Sequence, residues 1–575
     1  MLRLAFIAPA VLLFLHALPH SIRMAIAEQW WQTGVIYQVY PRSFQDTNGD
    51  GVGDLRGIAA RLDYLVALGV DAIWISPFYP SPMADFGYDV ADYTGVDPLF
   101  GTLADFDALI SAAQAKGLKL ILDFVPNHSS DQHPWFLESR SSRANPKRNW
   151  YLWRDPAPPG DDWKPASERV PNNWMSHFGG PAWTFDETTQ QFFCHSFLKE
   201  QPDLNWRNPE VRAAIYAAMR FWLDRGVDGF RMDVLWLLVK DAEFRNNPRN
   251  TEWHDGIQTF SSVLPKHTAD QPETHEIVRE MRSVMESYAD RGSRVLIGEI
   301  YLPLRDLVRY YGIEENAGSP QLNGANLPFN FHLIQTNWQA EAIAGIIREY
   351  ERLLPTGAWP NYVLGNHDQS RLATRIGPGQ ARVAAMLLLT LRGTPTLYYG
   401  DELGMQDVPI APGQVRDPAE KNEPGKGRGR DRERSPMLWD GSANAGFTTP
   451  EASPWLPLLE NRAQVNVAVE GVDRKSMLSL YRVLLSLRRQ FAALHSGAIT
   501  DVRAQDGVLS YTRAQEEERL QIHLNLTSEH RQVQSETGHI LFTTLMDGAG
   551  AEVEGSMVLE GGEGAILMLG GQTIN

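Results

Sequence analysis

Four segments of the chain end in residues able to carry protons, hold charge or attack carbon. They are Asp123-Phe-Val-Pro-Asn127-His128, Gly229-Phe-Arg231-Met-Asp233, Gly298-Glu299 and Asn366-His367-Asp368. Each follows an apolar, strand-like run, and in a barrel of alternating strands and helices such residues converge on one rim. Paired carboxyls on a rim suit glycoside hydrolysis. One acid protonates the leaving oxygen and one carboxylate meets an oxocarbenium-like centre, the two lying about 5 Å apart when configuration is retained. Arg231, two residues before Asp233 on the same strand, points to the same face, and its fixed charge is expected to keep Asp233 ionised. Glu299 must be protonated first and ionised later, so a pKa raised by burial and nearby negative charge is expected of it. From spacing alone, Arg231 and Asp233 read equally well as an internal ion pair.

The elements that would hold these residues alternate strand with helix, the pattern of βα units and a parallel sheet. Eight strands are expected, at 35–40, 71–76, 118–125, 229–234, 295–300, 327–331, 362–365 and 396–399, with helices at 55–68, 103–115, 209–225 and 273–291 between them. Eight parallel strands predict an α/β fold closed as a (β/α)₈ barrel. The gap between the third and fourth strands is too long for an ordinary connection and predicts an inserted subdomain over the barrel mouth. Short strand patterns beyond residue 508 predict an antiparallel C-terminal β domain. The expected division is therefore a leader or upstream extension at 1–27, the barrel at 28–127 and 207–475, the inserted subdomain at 128–206, and the β domain at 476–575. Residues 409–434, rich in Pro, Gly and charge, read as a solvated surface loop.

Composition narrows the function classes. The chain has 575 residues, 43% hydrophobic and 21% charged, in the range of globular proteins. Its formal net charge of −17 opposes attraction to phosphate backbones or anionic lipid, so neither nucleic acid nor membrane is expected as a partner. One cysteine, Cys194, excludes an intrachain disulfide and a Cys-based metal cluster. At the N-terminus, Arg3, the apolar run 4–18 and Ala25-Ile26-Ala27 read as an export signal peptide; the other reading starts the chain at Met24 and keeps it in the cytoplasm.

The four motifs, in this order and spacing, resemble those of the α-amylase family of glycoside hydrolases, and the likeness runs from Trp30 to the C-terminal domain. It implies Asp233 as nucleophile, Glu299 as general acid/base and Asp368 as the carboxylate that grips sugar hydroxyls, with His128, His367 and Arg231 lining the same subsite. Gln201-Pro-Asp-Leu-Asn205 is similar to the signature of the oligo-1,6-glucosidase and α-glucosidase branch. Asp85 and Tyr88, in Asp85-Phe-Gly-Tyr88, match residues that grip and stack on the terminal glucose, and Phe178 and Arg434 match two further pocket positions. A closed pocket and exo-action on a small oligosaccharide or α-glucoside follow. Val234, after the nucleophile, is the residue type that this branch pairs with α-1,6 linkages, although α-1,4 stays open. The segment 235–255 departs from the branch and puts the leaving-group side in question.

Asp46-Thr-Asn48-Gly-Asp50-Gly-Val52-Gly-Asp54 sets oxygens at alternate positions, much like the start of an EF-hand loop. The match is partial, because Gly57 stands where the EF-hand has its Glu. The resemblance implies one structural Ca²⁺ or Mg²⁺ held by Asp46, Asn48, Asp50, Asp54 and the carbonyl of Val52, and no organic cofactor. A metal-free Asx/Gly turn is the other reading. Two rival functions share the motifs. One hands the glucosyl group to a sugar, as trehalose synthases, sucrose isomerases and transglucosidases do; an Arg-rich isomerisation segment is missing near 320–335. The other is a non-catalytic, transporter-associated relative, against which stand all three carboxylates.

Overall fold

Apolar runs of four to six residues, buried on both faces, become the strands of a parallel sheet because helices cover one side and the barrel interior the other. The structure is a computed structural model and describes residues 29–160, 164–313 and 321–570; the expected leader lies outside them. The strands are β1 (Ile36–Val39), β2 (Ala72–Ile75), β3 (Lys119–Phe124), β4 (Gly229–Met232), β5 (Val295–Gly298), β6 (Leu327–Pro328), β7 (Asn361–Val363) and β8 (Thr394–Tyr398). Their order is β7-β8-β1-β2-β3-β4-β5-β6, every pairing is parallel, and an isolated bridge from Asn330 to Tyr362 joins the two ends. The chain is thus a (β/α)₈ barrel with an antiparallel sheet after it.

The helices start and stop on local chemistry. The helix Pro209–Asp224 begins with Pro209 in its first turn and the Asn208 side chain accepting from the Glu210 amide. The expected helix over 55–68 is two, Leu55–Ala60 and Leu62–Leu68, parted at Arg61; the second ends on left-handed Gly69. Met477–Gln490, assigned from sequence to the C-terminal unit, packs on the barrel helices Pro378–Thr390 and Leu62–Leu68 and so follows β8 as the last barrel helix.

Between β3 and β4 the chain forms a small three-stranded sheet, Trp153–Arg154, Gln191–Cys194 and Trp183–Asp186. Phe136, Trp153 and Phe193 pack edge and face beneath it, with ring centroids 5.1 to 5.7 Å apart. The C-terminal six-stranded sheet lies against the helix Pro378–Thr390, where the Tyr511 and Thr390 hydroxyls meet at 2.5 Å. Among the described residues no helix is long and apolar enough to cross a membrane.

Candidate functional site

Strand register sets the centre of the site. Asp123 on β3 lies level with Arg231 on β4, and Met232 lies level with Gly298 on β5. The next residues, Asp233 and Glu299, therefore leave their strands side by side; their amides still bond to Phe124 and Met232 carbonyls at 2.8 and 3.0 Å. Arg231 is fully buried over the Trp74 ring, 5.1 Å from its centroid, so its charge is satisfied only by neighbours. Nη1 bonds Asp123 Oδ1 at 2.9 Å and Asp233 Oδ1 at 2.8 Å, while Nη2 pairs with Glu299 Oε2 at 2.9 Å.

This sharing corrects the expectation that Arg231 keeps Asp233 ionised. Burial pushes Asp233 well above the ordinary carboxylate range, Glu299 pushes it further, and Arg231 opposes only in part. Burial also raises Glu299, with Asp368 adding to the rise and Arg231 opposing it. One guanidinium thus serves both carboxyls, and burial raises the two together.

Glu299 Oε2 also accepts from the Val234 amide at 2.8 Å. That amide is aimed by an unusual backbone: Val234 sits at φ 38° and ψ 44°, left-handed for a β-branched residue. The strain is stored beside the two carboxyls, where the turn out of β4 must be sharp.

Asp368, after β7, behaves differently. Burial would raise it, but His367, Arg434, Arg430 and Arg231 together hold it far below the usual range. Arg434 Nη2 meets its Oδ1 at 2.7 Å and Arg430 Nη1 at 3.3 Å. His367 itself is driven strongly down by burial, with Asp368 opposing the fall. Tyr88 stacks on His367 at 5.3 Å between centroids and donates its hydroxyl to Asp123 Oδ2 at 2.9 Å.

A cavity of about 560 Å³ opens over these groups. Asp233, Glu299 and Asp368 line it with Asp85, Tyr88, His128 and Phe178, so seven of the ten catalytic and sugar-binding residues read from sequence face one space. Arg231, His367 and Arg434 do not line it; each is fully buried behind a carboxylate and acts through it. His128 bonds the Tyr88 carbonyl and Gln201, and burial lowers its pKa to about 4.

One wall of the cavity carries a residue that the motifs did not single out. Arg430 pairs through Nη2 with Asp85 at 2.6 Å and through Nε with Asp417 at 2.6 Å, and lies 4.8 Å from the Phe178 centroid. Residues 409–434, read as a solvated loop, therefore wall the pocket. The abundance of neighbouring Arg hid this one; its alternation with Arg428, Arg432 and Arg434 was the available signal.

The 46–54 loop curls tightly, with Gly49 at φ 80° and Gly51 at φ 88° where side chains would be strained. Asp46 Oδ1 accepts from the Asn48 and Gly49 amides, and its Oδ2 from Gly51, while Asp50 Oδ1 accepts from Val52. Asp54 turns to Thr47 and caps the following helix at Gly57. Among the described residues no three Asp, Glu, His or Cys side chains converge as a metal cluster. The donors are all hard oxygens, which fits Ca²⁺ or Mg²⁺ only if the Asn48 amide and Val52 carbonyl complete the set.

The α-amylase catalytic domain matches residues 38–497. A probable α-glucosidase of Rhizobium meliloti is 41% identical over 516 residues, 87% of this chain and 90% of that protein. An oligo-1,6-glucosidase of Heyndrickxia coagulans is 38% identical over 539 residues, covering 87% and 92%. The solved α-glucosyl transfer enzyme XgtA superposes with a TM-score of 0.86 at 37% identity, covering 94% of this chain and 99% of that one. With the barrel, the carboxyl-lined cavity and these likenesses together, the chain belongs to the α-amylase family of glycoside hydrolases.

Proposed function

We propose that the chain is a retaining, exo-acting α-glucosidase that releases glucose from the non-reducing end of short α-glucosides, with α-1,6 linkages preferred. The observation that carries this is the single cavity that gathers Asp233, Glu299 and Asp368 with Asp85 and Tyr88, in whose wall Arg430 ties Asp85 to Asp417. Asp233 attacks the anomeric carbon as Glu299 gives its proton to the departing oxygen; the C–O bond breaks and a glucosyl ester forms. Water then attacks that carbon, Glu299 takes the proton, and the ester bond breaks. Because Arg231 and the Val234 amide both hold Glu299 at Oε2, Oε1 is left to carry the transferred proton. Arg434 and Arg430 keep Asp368 charged as an acceptor for sugar hydroxyls. Val234 lines the cavity and supports the α-1,6 preference.

A second reading gives the glucosyl ester to a sugar or alcohol instead of water, and it is favoured by the likeness to a glucosyl transfer enzyme. Product analysis on maltose, isomaltose, sucrose and aryl α-glucosides separates the two: α-glucose alone supports hydrolysis, and new glucosides support transfer. Asp233→Ala must abolish both; activity surviving it overturns the assignment. We further propose that the 46–54 loop holds a structural Ca²⁺ or Mg²⁺ through Asp46, Asn48, Asp50, Asp54 and the Val52 carbonyl, supported by its alternating oxygens.

A further inference from the structure

The outer part of the cavity has walls that the transferred sugar does not explain. They come from the inserted subdomain, from the segment after β4 and from the 409–434 loop. Trp236, His177 and Phe260 form a continuous aromatic face, with His177 4.9 Å from Phe260 and 6.2 Å from Trp236 between centroids. The Arg428 guanidinium lies 5.1 Å from the Phe260 centroid and also lines the cavity.

Two donors on this face lack acceptors. The Trp236 indole N–H is buried with no hydrogen-bond partner. Arg428 forms no ion pair or hydrogen bond among the described residues, although its neighbours Arg430 and Arg432 are both paired with carboxylates. Arg428 is partly buried, burial lowers its pKa, and Asp368 and Asp417 offset its charge only at a distance, so its guanidinium is available to an anion in the cavity. The nearby His177 is neutral, because burial, with Arg428 adding to it, lowers its pKa to about 3, so it adds no charge. What the face lacks is an anionic oxygen; what it offers is a flat apolar surface for a ring.

We propose that the leaving group of the favoured substrate is a planar ring bearing a carboxylate, stacked on Phe260 and Trp236 with its carboxylate held by Arg428. This rests on the α-glucosidase reading and adds the leaving-group class to it. The outer face then acts as a specificity site, since a guanidinium that takes an anion discriminates against the analogue lacking it. Arg428 is a binding residue, touching the leaving group and not the reacting carbon.

The test compares kcat/KM for 4-carboxyphenyl and 4-methylphenyl α-glucosides. The wild type is expected to favour the carboxylated compound by about tenfold at low salt, the size of one charge-assisted bond in a partly closed site. Arg428→Gln should reduce that ratio to about one, Arg428→Lys should restore part of it, and Arg519→Gln, on the distant C-terminal sheet, should leave it alone. Turnover of both compounds without preference, or a preference unmoved in Arg428→Gln, overturns the proposal and leaves the glucosidase reading intact. Failure to cleave either compound, or maltose and isomaltose, overturns both.

Discussion

Replacing Arg231 with Met tests the whole arrangement of the carboxyls. The guanidinium is the shared partner of Asp123, Asp233 and Glu299, with contacts of 2.9, 2.8 and 2.9 Å and no exposure. Removing one partner of a buried ion pair costs about 3–5 kcal/mol. Here three carboxyls lose theirs, so the upper part of that range is expected at neutral pH. Protonation limits the loss. Burial already raises Asp123 to about 6 and raises Asp233 and Glu299, and without Arg231 all three rise further. A carboxyl whose folded pKa exceeds its unfolded value contributes stability that is full at low pH. That stability drains away as pH climbs through the folded value. Each such group therefore costs about 1.4 kcal/mol per pH unit in that window. The variant should be close to wild type in stability near pH 5 and several kcal/mol weaker near pH 8, read by urea unfolding at both pH values. Because Asp233 must be ionised to attack, the acid limb of kcat/KM should also move to higher pH. A loss below about 1 kcal/mol at pH 8, or an acid limb that stays in place, would refute the shared-guanidinium account.

Asp85→Ala removes one of the three carboxylates paired with Arg430 and one wall of the pocket, and should lower kcat/KM on isomaltose by about a hundredfold, mostly in KM, while leaving thermal stability within a few degrees because Asp417 and Asp368 still pair with Arg430. Val234→Gly removes the left-handed strain but also a buried side chain, so a net loss of about 1–2 kcal/mol is expected in unfolding measurements, smaller than deleting an unstrained core valine would give. It keeps the amide that holds Glu299, so loss of more than tenfold in kcat on an aryl glucoside would mean that the side chain itself does the positioning. Removing divalent ions with EDTA should lower the Tm while a titration of the folded protein with substrate stays unchanged; a Tm unmoved by EDTA and by added Ca²⁺ counts against the loop as a metal site.

Much of the centre was legible because β-strand geometry is local. An apolar run followed by Asp233, Glu299 or Asp368 states both the strand and the rim that its last residue reaches, and the eight strands appear where the alternation places them. Arg430 was not legible, because several arginines crowd its loop and only the folded chain shows which one reaches Asp85, some 345 residues earlier. The same limit applies to Met477–Gln490, whose apolar face names no partner until Pro378–Thr390 lies beside it.

The sequence by itself determined the carboxyls, the barrel that carries them and the family to which they belong, since residue type and the period of strands are properties of short segments. Tertiary structure alone decided how charge is shared among them. Arg231 neighbours Asp233 in the chain, yet register brings it equally to Glu299 and Asp123. A pKa depends on every charge and every buried surface around a group, and those distances exist only once the barrel closes.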